Sequence, residues 1–113
     1  MPSTIDPVIR KLKIYREADF VDVVQWTHDG APVDLSGYVI EGSIRQAYAD
    51  AQPAASFTVN VLNAAQGLFE LSLSEVETDA LAFDAGVFDV RARLGQLTQQ
   101  VMRGTVRVFA SAT

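Results

Sequence analysis

The sequence has no cysteine, one histidine, one tryptophan and four prolines in 113 residues, and each shortage closes off a class of chemistry or structure. Without cysteine there can be no disulfide, thiol nucleophile or zinc–thiolate site, so stability has to come from packing. A lone histidine, His28, with no second imidazole in the chain, cannot anchor a usual zinc or iron site. Positive charge is also scarce. Nine Lys and Arg stand against fourteen Asp and Glu, for a formal charge of −5. A protein that tracks phosphate backbones needs clustered cations to displace counterions, so nucleic acid is not an expected partner. No apolar run approaches the ~20 residues that span a bilayer. The start, Met1 to Pro7, lacks a basic segment followed by an apolar block, so neither a standard secretion signal nor membrane insertion is expected.

What is present is a globular balance, 49% hydrophobic and 20% charged, at a length that suits one domain. Residues 1–7 read as an N-terminal arm and residues 8–113 as a single domain. The dominant pattern is alternation with period two, which puts one set of side chains in a core and the other in water. In Val8 to Tyr15 the phase Val8, Arg10, Leu12, Ile14 reads as the core face. In Phe20 to Trp26 the phases are less distinct, because Phe20, Asp22, Val24 and Trp26 mix a carboxylate with apolar residues. His28-Asp29-Gly30-Ala31-Pro32 has the composition of a turn. Tyr38 to Arg45 alternates most clearly, with Tyr38, Ile40, Gly42 and Ile44 on one side. The small, polar stretch Ala47 to Ala55 reads as a loop.

Phe57, Val59 and Val61, then Phe69, Leu71 and Leu73, form two alternating runs joined by a turn over Asn63 to Gly67, the pattern of a hairpin. Ser74-Glu75-Val76-Glu77 is a capping box that opens one short helix, near residues 74–81, expected to cover an open edge with Val76 and Leu81. A last hairpin joins Val87 to Leu94 with Gln99 to Phe109. There Phe88, Val90 and Ala92 are expected to face Met102, Val106 and Val108, with Asp89, Arg91 and Arg93 paired outside to Arg103, Thr105 and Arg107. About seven short strands and one helix predict an all-β fold, an antiparallel β-sandwich.

Candidate chemistry is thin. No Gly-x-Ser-x-Gly elbow supports a Ser–His–Asp nucleophile, and Gly86, Gly95 and Gly104 are isolated among strands rather than grouped to cradle phosphate. Asp19 with Asp22, or Glu75 with Glu77 and Asp79, could share a proton or hold calcium. Favouring a helix start and keeping a surface soluble explain them more simply. Trp26 could offer a stacking platform for sugar or, as large aromatics on sandwich strands usually do, fill the core. No enzyme activity, cofactor or metal is expected.

One series of short motifs goes further. Val33-Asp34-Leu35-Ser36-Gly37-Tyr38 and Ile44-Arg45 are followed by Leu71-Ser72-Leu73-Ser74 and Ala80-Leu81. Ala85-Gly86-Val87-Phe88-Asp89-Val90 and Gly104-Thr105-Val106-Arg107-Val108 complete it. In order and spacing, from about Ile14 to Phe109, this resembles a group of small bacteriophage virion proteins. These in turn resemble the immunoglobulin-like N-terminal domain of upper baseplate proteins. Phe83-Asp84 departs from that pattern, in which a proline is common before Ala-Gly. The resemblance implies an immunoglobulin-like sandwich and a connector or adaptor in the tail, baseplate or neck, located in the virion after assembly in the host cytoplasm. It also implies that the chain forms symmetric homo-oligomers, contacts other virion proteins and anchors tail fibres. Candidate contact residues are Ile5, Pro7 and Val8 in and beside the arm, Tyr48 in the loop, and Phe83 in the helix-to-strand connection. Phe83 could equally plug the end of the core. Head decoration and a carbohydrate-binding module are the alternatives.

Overall fold

Alternation along the chain becomes two facing layers in the computed structural model, which describes residues 8–110. In chain order the strands are β1 (Val8–Tyr15), β2 (Phe20–Gln25), β3 (Thr27–His28), β4 (Ala31–Pro32), β5 (Val39–Arg45), β6 (Ala55–Ser56) and β7 (Thr58–Asn63). A 3-10 turn (Ala64–Gln66) leads to β8 (Leu68–Leu73), the helix α1 (Glu75–Asp79), β9 (Ala85–Leu94) and β10 (Leu97–Phe109). One sheet runs β1-β10-β9-β5-β6 and the other β2-β8-β7, with β3 and β4 as a small separate hairpin. Seven strands are six residues or longer, and the fold is the expected all-β sandwich with one short helix.

All pairings but one are antiparallel. β1 runs parallel to β10, with Leu12 beside Val106 and Ile14 beside Val108. The first strand thus closes against the last, a long-range choice that period-two alternation does not encode. β1 and β10 approach closely at Gly104, where a Cβ would lie 1.7 Å from the Arg10 carbonyl oxygen.

The core lies between the sheets. Leu12, Ile14, Ile40, Ile44, Phe88, Val90 and Val106 project from one layer, and Val24, Phe69, Leu71 and Leu73 from the other. Phe57 belongs to both layers. Its N–H donates to the Gly42 carbonyl as the chain leaves β6, and its ring meets Phe88 edge-on at 6.4 Å. Trp26 is 1% exposed and packs edge-to-face on Tyr38, so it is core and offers no platform for sugar. The turn expected over Asn63 to Gly67 is the 3-10 turn, with the Asn63 side chain accepting from the Gln66 N–H. Gly67 closes it in the left-handed region, at φ +69, with the Trp26 carbonyl so near that a Cβ would fall 2.5 Å from it.

Several local expectations are corrected. Val8 and Arg10 share the inward phase of β1 but are exposed, with Arg10 turned to Asp22 at the rim between the layers, and only Leu12 and Ile14 are buried. Val61 is exposed beside an irregularity in the pairing at Val61/Asn63, where strict alternation breaks down. α1 has both hydrogen bonds of its capping box, yet Val76 is 74% exposed. Thr78 is buried in its place, and Leu81 is buried as expected. The Thr78 hydroxyl lies within hydrogen-bonding distance of the carbonyls of Ala18 (2.9 Å) and Glu75 (3.0 Å), which satisfies it and ties α1 to the turn after β1. In β10 a bulge between Gln100 and Met102 buries both Val101 and Met102, so Ala92 lies opposite Gln99. The outer ion pairs form mainly with β5 instead of β10: Arg93 with Glu41, and Asp89 with Arg45 at 3.7 Å.

The tightest point gives a direct test. Gly104→Ala is expected to push β1 off β10 at a cost of about 1–3 kcal/mol or more, as overpacking does. Hydrogen exchange should then show protection lost over residues 8–15 and kept over β7 and β8. Unchanged protection in β1 would mean that the strand is not held there.

Candidate interaction surface

The proposed contact residues fall in different environments. Ile5 and Pro7 lie outside the described residues. Val8, at the first position of β1, is 48% exposed. Tyr48, in the loop between β5 and β6, is 45% exposed but not free. Its hydroxyl reaches the carbonyls of Gly104 (3.1 Å) and Phe88 (3.3 Å), directly paired residues of β10 and β9. The Arg103 guanidinium lies 4.6 Å from its ring centroid. The loop is therefore folded back onto the outer face of the large sheet, pinned by one aromatic ring.

Phe83 is half-buried and packed against the core, the second of the two placements open to it from sequence. Gly86 makes room for it, since a Cβ there would approach the ring to 2.6 Å. Arg16, from the turn after β1, holds the same connection in shape. It donates to the Leu81 and Phe83 carbonyls, each at 3.0 Å, and lies 3.5 Å from Asp84. This clamp accounts for an ordered path at Phe83-Asp84 without a proline.

An ion pair missed by the sequence reading joins the two layers at their open side. Arg10 of β1 donates to Asp22 of β2 at 3.0 Å. Both residues occupy inward phases of their strands, which is the signal that could have found them: two charges of opposite sign, each facing the gap between sheets. Both are partly exposed, so the pair seals a rim and lies outside the core.

Along β5, the two-residue β6 covers only Ser43 and Ile44, leaving a shallow groove walled by Pro53, Phe57, Val59 and Arg91. Its charges are locally balanced, because Asp89 lies near both Arg45 (3.7 Å) and Arg91 (4.0 Å). His28 lies 3.5 Å from Asp29 on the β3–β4 turn. Asp34 is held below the usual carboxylate range by the Ser36 backbone N–H and then by the Ser36 hydroxyl, both of which donate to it. Those bonds shape the turn that buries Leu35. Among the described residues, no three His, Asp or Glu side chains are grouped as a metal site, and no helix is long and apolar enough to cross a membrane.

No protein-family model matches the sequence. No curated protein matches it either. Among solved structures, the N-terminal domain of phage TP901-1 ORF48 matches with a TM-score of 0.52. The two are 16% identical over 96% of this chain and 92% of that one, so a phage protein domain shares this sandwich fold over nearly its whole length. A chain from a structure of VGSC beta subunits, described for multimeric cell-adhesive interactions, gives a TM-score of 0.49 at 9% identity, covering 93% of each chain.

Two experiments probe these contacts. Tyr48→Phe keeps the ring under Arg103 but removes a hydroxyl donor. It is expected to cost about 0.5–1.5 kcal/mol and to raise proteolytic cleavage within residues 46–54. Cleavage at the wild-type rate would show that the hydroxyl does not hold the loop. For Arg10 and Asp22, a double-mutant cycle to alanine should give a coupling of about 0.2–1 kcal/mol that falls as salt is added. Zero coupling at low salt would remove the pair from the account of how the rim closes.

Proposed function

We propose that this chain is a non-catalytic structural protein of a bacteriophage particle, a connector in the tail, baseplate or neck that works through contacts with other protein chains. The observation that carries the reading is the fold it shares, over nearly the full length of both, with the N-terminal domain of phage TP901-1 ORF48. The motif series from Val33 to Val108 supports it independently. A packed two-layer body whose charged residues lie on its surface, and whose one imidazole lies in a turn, is built to present surfaces. On this reading the protein resides in the virion, forms symmetric oligomers and anchors further parts such as tail fibres. Head decoration is the second reading and calls for the same kind of surface. A carbohydrate-binding role is disfavoured by the burial of Trp26.

Mass spectrometry of density-purified particles from a host carrying the gene should find the chain at a fixed ratio to other virion proteins. Its absence from particles that assemble normally would sink the proposal, and presence in heads lacking tails would select decoration over a connector.

A further inference from the structure

The net charge of −5 conceals a strong segregation. Seven of the nine basic residues project from the outer face of the five-stranded sheet, in the strand phases opposite the buried ones. They are Lys11 and Lys13 on β1, Arg103 and Arg107 on β10, Arg91 and Arg93 on β9, and Arg45 on β5. The two carboxylates on that face, Glu41 and Asp89, already serve Arg93, Arg45 and Arg91. Half of the face is therefore neutralised and half is not. Among the described residues, Lys11, Lys13, Arg103 and Arg107 have no carboxylate within ion-pair distance.

That unneutralised half also carries apolar surface. The parallel register sets Ile9 beside Arg103, Lys13 beside Arg107 and Tyr15 beside Phe109. Ile9 is 71% exposed, and the Tyr15 and Phe109 rings stack at 5.2 Å. Arginine and aromatic residues together are what protein interfaces are enriched in. Lysines on an edge strand can be explained as protection against strand pairing. That explanation covers Lys11 and Lys13 and leaves Arg103 and Arg107, which lie on an interior strand of the sheet.

The rest of the molecule is the complement. Off this face the described residues include only two basic side chains, Arg10 and Arg16, and both are engaged, one with Asp22 and one with the carbonyls of Leu81 and Phe83. The acidic residues include Glu17 and Asp19 in the turn after β1 and Glu75, Glu77 and Asp79 on α1, around the exposed Val76. The acidic end adjoins the end of β1, because α1 packs against that strand, but it is a different surface from the flat of the sheet that carries the cations.

We propose that the β1–β10 half of the basic face docks the acidic α1 end of a second copy of this chain, head to tail, with Val76 meeting the apolar residues around Lys11 and Lys13. Such a contact joins two different surfaces, so repetition gives a ring if the rotation closes and an open stack if it does not. The inference rests on the reading that this chain works by contact with other chains, and it names one of them.

Sedimentation of the full chain tests it. Self-association is expected at about 25 mM salt and should be lost at about 500 mM, where screening is several-fold stronger. K11E/K13E and E75K/D79K alter exposed residues outside the core and the capping box, and thermal melts check that each folds. Each alone should weaken association by about tenfold or more, and mixing the two should restore it, because each supplies the surface the other lacks. A wild-type chain that stays monomeric at low salt overturns the proposal, as do variants that associate normally or fail to recover on mixing. Binding of a poly-dT oligonucleotide to Lys11 and Lys13 without self-association also overturns it and assigns the face to phosphate. If particles incorporate a chain that never self-associates, this inference falls and the structural role stands. If particles lack the chain, the structural role itself falls.

Discussion

The interleaving of apolar side chains between two sheets is the constraint on which everything else depends, and Phe57 is where it is most concentrated. The chain changes layers at this residue, pairing with β5 through β6 and then entering the opposite sheet as β7. Gly42 leaves the space into which the Phe57 ring fits, since a Cβ there would come within 2.9 Å of the ring. Phe20 from β2 and Phe88 from β9 close around it. With no disulfide to tie the layers, this burial sets the spacing that lets the turns, α1 and the outer ion pairs form where they do.

Local chemistry was the legible part of the fold. The Ser74 capping box, the turn at Asn63 to Gly67 and the alternation of β5 and β8 each depend on residues a few positions apart, and the structure contains all of them. Partner choice was not legible in the same way. Leu12 and Ile14 would look the same beside any strand, so the parallel pairing of β1 with β10 cannot be read from them. The bulge at Gln100/Met102 inverts the inward phase within one strand, and a rule of strict alternation misassigns the residues on either side. Val76 misled for a related reason. Thr78 satisfies its hydroxyl through the Ala18 and Glu75 carbonyls, so a polar residue took the buried place expected for an apolar one.

The candidate surface was harder to read, because its features are relations between distant residues. Tyr48 and Arg103 are far apart in sequence, and only the fold brings the guanidinium over the ring. Composition gave the wrong impression of charge altogether. Summed over the chain, acid exceeds base, and that sum hides the cations gathered on one face. Strand phase decides the matter instead. Lys11, Lys13, Arg91, Arg93, Arg103 and Arg107 each alternate with a buried neighbour, so the period that builds the core also gathers the cations on one side.

Edge strands look like natural docking sites in a sandwich, yet each edge here carries a feature that discourages strand addition. β6 is two residues long, and β7 is irregular at Val61/Asn63. β1 and β2 turn Arg10 and Asp22 toward the gap between layers, where a strand pairing at either edge would have to accommodate the closed ion pair. The inward carboxylate Asp22 is what made the phases of β2 hard to assign from sequence, so that ambiguity was itself a trace of edge protection. With backbone pairing discouraged at every edge, a partner chain of the kind proposed would meet the sheet faces and the ends of the sandwich. Those are the regions where charge is most strongly separated, and contact through them leaves the hydrogen bonding of both sheets intact.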